Sequence, residues 1–211
     1  GVLDPFTTRE VIAQLRRAVD RELEMHAHND LGMATANTLA AVLGGATHVN
    51  TTVNGLGERA GNAPMDEVVM ALRHLGNRET GIDTRRLPEL SLLVAAASGR
   101  PVAVNKSVVG EGVFTHESGI HVDGLLKYPL NYQGFDPAEV GREHRLVLGK
   151  HSGAHAVRAA YQSNLGIALS PEQAERILTR IRRHALAEKR APNGDELKRF
   201  HQEIVGWPVA C

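Results

Sequence analysis

The apolar positions of this chain change period several times along its length. Val11, Ile12, Leu15 and Val19 fall at helical spacing, with Thr7 and Glu10 placed as a capping box ahead of them. Glu22 to His28 is a short run that reads as a strand, and Leu31 to Gly44 is an Ala- and Leu-rich helix stopped by Gly44-Gly45. From His48 to Asn54 the pattern alternates, Val49, Thr51 and Val53 on one face and Asn50, Thr52 and Asn54 on the other. Pro64 then stands at the first position of a helix whose stripe is Met65, Val68, Val69, Leu72 and Leu75. Residues 1–76 thus read helix, strand, helix, strand, helix. That order predicts parallel strands joined by crossover helices. Two such strands cannot cover both faces by themselves, so the pattern asks for more strands, upstream or from another chain.

Beyond residue 76 the pattern changes. Residues 77–85 are polar and read as a linker, and Leu87 to Ser98 as a helix. Residues 100–151 are rich in Gly and His with little periodicity, which predicts loops and short elements. The chain is helical again from Ser152. Ser170-Pro171-Glu172-Gln173 is a strong helix start, a cap followed by Pro and by Gln at the box position. Ile177, Leu178, Ile181 and Ala185 form the stripe of that helix, and Leu197, Phe200 and Ile204 that of a last one after Asn193-Gly194-Asp195.

Composition narrows the class without deciding it. The 211 residues carry 24 Lys+Arg against 24 Asp+Glu, so no excess of charge points to nucleic acid or an anionic membrane. The longest apolar stretches, such as Leu90 to Ala97, are too short to span a bilayer. One cysteine, Cys211, allows no internal disulfide and fits a reducing cytoplasm. The chain opens Gly1-Val2-Leu3-Asp4-Pro5 with no initiator Met and reads as a fragment.

The eleven histidines carry most of the candidate chemistry. In His26-Ala27-His28-Asn29-Asp30 the two imidazoles stand two apart, which in a strand turns both to one face and suits a shared metal. The plain alternative is two unrelated histidines at a strand end. In Asn54-Gly55-Leu56-Gly57-Glu58-Arg59-Ala60-Gly61-Asn62 the third glycine comes one residue late for a dinucleotide fingerprint. Asn62 could equally be a plain N-cap for the helix after it. His116-Glu117-Ser118-Gly119-Ile120-His121 places its second His five residues after the first. A zinc protease needs four. One or two of these histidines as acid or base remain, or structural histidines in a turn. Gly149-Lys150-His151-Ser152-Gly153 resembles a phosphate loop, but His144 stands where the first Gly belongs and His151 separates Lys from Ser. A turn opening a helix is the reading that remains.

Taken together the motifs resemble the metal-dependent enzymes that condense acetyl-CoA with 2-oxo acids, the group of 2-isopropylmalate, citramalate and homocitrate synthases. The resemblance rests on His26 to Gly32, on Ala34-Thr35-Ala36-Asn37-Thr38-Leu39-Ala40-Ala41 and on Asn50 to Ala63, and extends over nearly the whole chain. Val108 to Glu117, Gly119 to Lys127 and Leu146 to His155 are most similar to the homocitrate synthases of nitrogen fixation.

The resemblance implies an α/β fold: the C-terminal part of a TIM (β/α)8 barrel, its last two strands, followed by small, mainly α-helical subdomains. The boundaries it suggests are 1–80 for the barrel portion, 81–134 for a linker and first subdomain, and 135–211 for a helical second one. It implies that His26, His28 and Asn62 bind a divalent metal (Mg²⁺, Mn²⁺ or Zn²⁺). Acetyl-CoA is implied as co-substrate and a 2-oxo acid as acceptor. His121 and Tyr132 match the group's catalytic pair, contributed across a homodimer, with Glu117 supporting the His. The acidic metal ligand and the arginine that binds the oxo acid have no counterpart here, so the chain alone is expected to be inactive. Two alternatives stay open: 2-isopropylmalate or citramalate synthase, and a non-catalytic dimerisation module.

Overall fold

A computed structural model describes residues 1–117, 124, 128 and 133–205. The chain is mixed α/β with helices dominating, and it divides into two compact units. The first comprises 1–113 with 138–142, the second 114–137 with 143–211.

In the first unit, α1 (Pro5–Ala18), β1 (Glu24–His26), α2 (Ala34–Gly44), β2 (His48–Asn50) and α3 (Met65–His74) follow in order. The strands pair in parallel, with Met25 opposite Val49 and His26 opposite Asn50. α2 is thus the crossover between them, as the alternation predicts. It ends where Gly45, at φ 111, turns left-handed and its N–H closes on the carbonyls of Ala41 and Val42. Ala27, Ala34, Ala63, Val68 and Leu72 form the buried core here, with Met25, Leu39, Val42 and Val49 packed on it. One face of the two-stranded sheet is therefore covered by α2 and α3. Glu24, His26, His48 and Asn50 lie on the other, exposed in this chain.

Several expected boundaries move for local reasons. The cap of α1 is Asp4, not Thr7: its carboxylate accepts from the backbone N–H and the hydroxyl of Thr7 at 2.9 and 2.6 Å, and Pro5 opens the helix. β1 spans three residues where seven were expected, because Ala27 to Asn29 turn to pair with 61–63 instead. β2 gives way at Thr52 to a short 3-10 turn, Val53–Gly55, with Asn54 at φ 59. Pro64 is the residue before α3, and its strand-like backbone bridges Thr52. Leu75, placed on the stripe of α3, is exposed.

A 3-10 turn (Thr84–Arg86) leads into α4 (Leu87–Ser98), which is held to the strand-end loop where the Asn54 amide donates to the Ser91 carbonyl at 2.9 Å. Lys106 reaches the first turn of α3 and bonds Asp66 at 3.1 Å and Glu67 at 2.5 Å. Burial pushes the Asp66 carboxyl upward in pKa, and Lys106 opposes that shift.

The second unit contains the parallel pair β3 (Thr115–His116) and β4 (Arg145–Leu146), then α5 (Ala154–Leu165), α6 (Pro171–Glu188) and α7 (Gly194–Val205). Its core is Val157, Ala160, Tyr161, Ile177, Ile181, Phe200 and their neighbours. Each large aliphatic side chain buried there contributes about 1.5–3 kcal/mol. Ser170 caps α6 and Gln173 closes the capping box, as its sequence predicts. The Tyr161 hydroxyl is buried and donates to the Leu197 carbonyl at 2.7 Å, tying α5 to α7. No helix among the described residues is long and apolar enough to cross a membrane.

Candidate metal centre

His26 is the last residue of β1, and His28 lies two residues on. Their ring centroids are 4.9 Å apart, the planes inclined at 68°. Both therefore leave the C-terminal end of the strand on one side, as the i, i+2 spacing predicts. Asn62 arrives from the other segment of the motif pair. The backbone of 61–63 runs antiparallel beside 27–29: Asn29 N–H donates to Gly61 at 2.9 Å and Ala63 N–H to Ala27 at 3.1 Å, which sets His28 opposite Asn62. Asn62 is not an N-cap.

The loop that delivers Asn62 allows little else. Gly61, at φ 90, comes so close to the Gly55 carbonyl that a Cβ there would sit 2.0 Å from its oxygen. Gly57 lies against the Asn62 amide, where a Cβ would stand 2.5 Å from Nδ2. The Asn62 amide donates to the Leu56 carbonyl at 3.0 Å, and the Thr52 hydroxyl donates to the same carbonyl at 2.6 Å. The two segments are also clamped by Asp30 and Arg59, which meet at 2.8 and 3.2 Å. The hydrogen bond from Arg59 holds the Asp30 carboxyl at a pKa of about 2. Asn29 accepts from the Ala34 N–H at 3.1 Å and so fixes the start of α2. Asn29 and Asp30 thus have separate structural tasks.

The donor set fits a divalent cation. Nδ1 of His28 and Oδ1 of Asn62 are buried and have no hydrogen-bond partner among the described residues. Such atoms are costly to leave unsatisfied, and both are lone-pair donors a cation can use. Imidazole nitrogen and amide oxygen together suit Mg²⁺, Mn²⁺ or Zn²⁺. Among the described residues no group of three His, Cys, Asp or Glu side chains could hold a metal. The third donor in this set is an amide.

The remaining candidates lie in the second unit or outside the described residues. Glu117 accepts from the His151 N–H at 2.9 Å, and its backbone carbonyl accepts from Ser152 Oγ at 3.0 Å. It thereby fastens the Gly149-to-Gly153 turn ahead of α5. His121 and Tyr132 lie outside the described residues. His116 meets His144 at 3.0 Å, and His144 meets Gln133 at 2.8 Å. Sequence reasoning passed over Thr52 and the Lys106–Asp66–Glu67 group. The alternation from His48 to Asn54 marks only the face of Thr52, and nothing local connects Lys106 to α3.

Residues 1–94 match the family described as HMGL-like, and residues 108–190 the one described as homocitrate synthase post-HMGL domain-like. The two matches lie in succession along the chain, the first over its N-terminal part and the second over its C-terminal part. The chain is 51% identical over 97% of its length to a protein named 2-isopropylmalate synthase 2 from Caldanaerobacter subterraneus, covering 53% of that protein. It is 51% identical over 96% of its length to homocitrate synthase 1 of Nostoc sp., covering 54% of it. It is 55% identical over 77% of its length to a homocitrate synthase of Frankia alni, covering 46% of it. The chain spans about half the length of the curated relatives it matches.

Proposed function

We propose that this chain is the C-terminal part of a homocitrate synthase, a metal-dependent enzyme that condenses acetyl-CoA with 2-oxoglutarate and water to give homocitrate and CoA. In this reading β1 and β2 are the last two strands of a (β/α)8 barrel and the segments after about residue 80 form its subdomains. The observation that carries it is the convergence of His26, His28 and Asn62 beyond the C-terminal ends of parallel strands, with two buried donor atoms that have no partner among the described residues. Barrel enzymes build their active sites at that end.

His26, His28 and Asn62 would hold the cation. When bound, it supplies Lewis acidity toward the oxo-acid carbonyl and stabilises the negative charge that develops there. Neutral imidazole and amide donors leave its charge available to an anionic substrate. His121 removes a proton from the acetyl methyl group and Tyr132 orients it, with Glu117 in support. These three roles follow the family resemblance. The protein acts as a cytoplasmic homodimer, and the chain by itself has no turnover, because the acidic ligand and the oxo-acid arginine that the family resemblance implies have no matching position in it.

The names of the relatives support both homocitrate and 2-isopropylmalate synthesis, so the substrate is tested directly. The chain is joined to the complementary half of a relative, and CoA-thiol release is followed with 2-oxoglutarate, 2-oxoisovalerate and pyruvate. Release with 2-oxoglutarate is expected. Release only with 2-oxoisovalerate or pyruvate would keep the mechanism and replace the substrate. No release with any acid would overturn the enzyme reading.

A further inference from the structure

The Asn62 amide has two faces to offer, and only its oxygen can serve a cation. Which one faces the site is decided by the Leu56 carbonyl, which has lone pairs and no proton. It can receive the NH₂ group and repels Oδ1, so the 3.0 Å contact with Nδ2 fixes the flip of the amide from chemistry alone. Oδ1 is thereby left buried, with no hydrogen-bond partner among the described residues. The carbonyl in turn is held by the Thr52 hydroxyl at 2.6 Å. Thr52 is itself fixed at both backbone groups: its N–H donates to Ala63 at 3.1 Å, and its carbonyl accepts from the Met65 N–H at 2.9 Å. Gly57 lies close against the amide on one side, where a Cβ would stand 2.5 Å from Nδ2.

We infer that Thr52 is a positioning residue for the cation site, acting through the Leu56 carbonyl to hold the Asn62 amide with its oxygen presented. The inference rests on the cation reading of His26, His28 and Asn62 and adds a residue that touches no ligand. Its hydroxyl matters and its methyl group does not, because the contact that carries the effect is the Oγ1 hydrogen bond. Removing an outer-shell partner of this kind costs about 10–100-fold in metal affinity.

The test is a Mn²⁺ titration of the full chain, read by water-proton relaxation, for Thr52→Val, Thr52→Ser, Asn62→Ala and the double variant Thr52→Val/Asn62→Ala. Thr52→Val is expected to weaken Mn²⁺ binding by about tenfold. Thr52→Ser, which keeps the hydroxyl, stays near wild type. In the Asn62→Ala background Thr52→Val has no further effect, because the side chain it positions is gone. A merely structural Thr52 would lower affinity by the same factor in both backgrounds, and that additivity would overturn the inference. So would a Thr52→Val variant that binds Mn²⁺ as well as wild type. Wild-type chain that binds no Mn²⁺ would instead overturn the cation reading itself, and this inference with it.

Discussion

Asp30 and Arg59 stand 29 residues apart in sequence and meet through two nitrogen–oxygen contacts of 2.8 and 3.2 Å. One belongs to the histidine-bearing segment and the other to the glycine loop that delivers Asn62. The pair therefore joins the two sources of the proposed ligand set. A lysine at position 59 would keep the charge but lose the planar fork that meets both carboxylate oxygens. Arg59→Lys is expected to weaken Mn²⁺ binding by about tenfold, read in a metal titration, with the helical signal in circular dichroism unchanged. Unaltered affinity would show that the clamp has no bearing on the site.

Gly61 is required by geometry. It combines a left-handed backbone with an approach to Gly55 that leaves no space for a Cβ. Gly61→Ala should destabilise the first unit by about 1–3 kcal/mol in urea unfolding. Gly134 has open space around it and a backbone outside the left-handed region. Gly134→Ala should therefore change stability by no more than about 0.5 kcal/mol.

Lys106 is largely buried between Asp66 and Glu67, and the Asp66 side chain is only 5% exposed. Lys106→Met leaves that carboxylate without its cation, and a loss of about 3–5 kcal/mol is expected in chemical unfolding. Replacing Asp66 by Leu in the same chain removes the stranded charge and should recover part of the loss. A Lys106→Met variant as stable as wild type would contradict the structural role given to this cluster.

Glu196 gives the chain a defined acid response. It binds Arg190 at 2.7 and 2.8 Å, accepts from the Asn193 N–H at 2.8 Å, and lies 3.5 Å from His184. Chiefly through Arg190, its pKa falls from 4.5 to about 2. A folded-state value below the unfolded one means the stabilisation is complete above about pH 4.5 and is lost as pH falls toward 2. Wild type should therefore melt above Glu196→Gln by a constant margin from pH 5 to about pH 8, with the margin closing below pH 4.5. A margin that persists at pH 2 would place the effect elsewhere.

The sequence made the local features legible and the long-range ones hardly at all. The capping box at Ser170, the α4 span and the parallel order of β1 and β2 are written in short-range pattern, and each appears as read. The cap of α1 is ambiguous in sequence because Thr7 and Asp4 both offer oxygens three residues ahead of a plausible partner, and only the fold shows that Asp4 does the capping. β1 is short because 27–29 find partners at 61–63, a pairing no period in either segment reveals. The histidine spacing and the Asn62 motif singled out residues that the fold sets side by side, His26 against His28 and His28 opposite Asn62. Their meeting depends on that same pairing, and the Thr52 to Leu56 contact depends on the tight turn at Asn54 and Gly55.

The central claim is that His26, His28 and Asn62 form one divalent-cation site. The most direct test is the stoichiometry of Mn²⁺ binding to the purified chain and to His26→Ala, His28→Ala and His155→Ala, the last an exposed histidine on α5. The account predicts one Mn²⁺ per chain, lost in the first two variants and retained in the third. Equal binding by His26→Ala and wild type would contradict it.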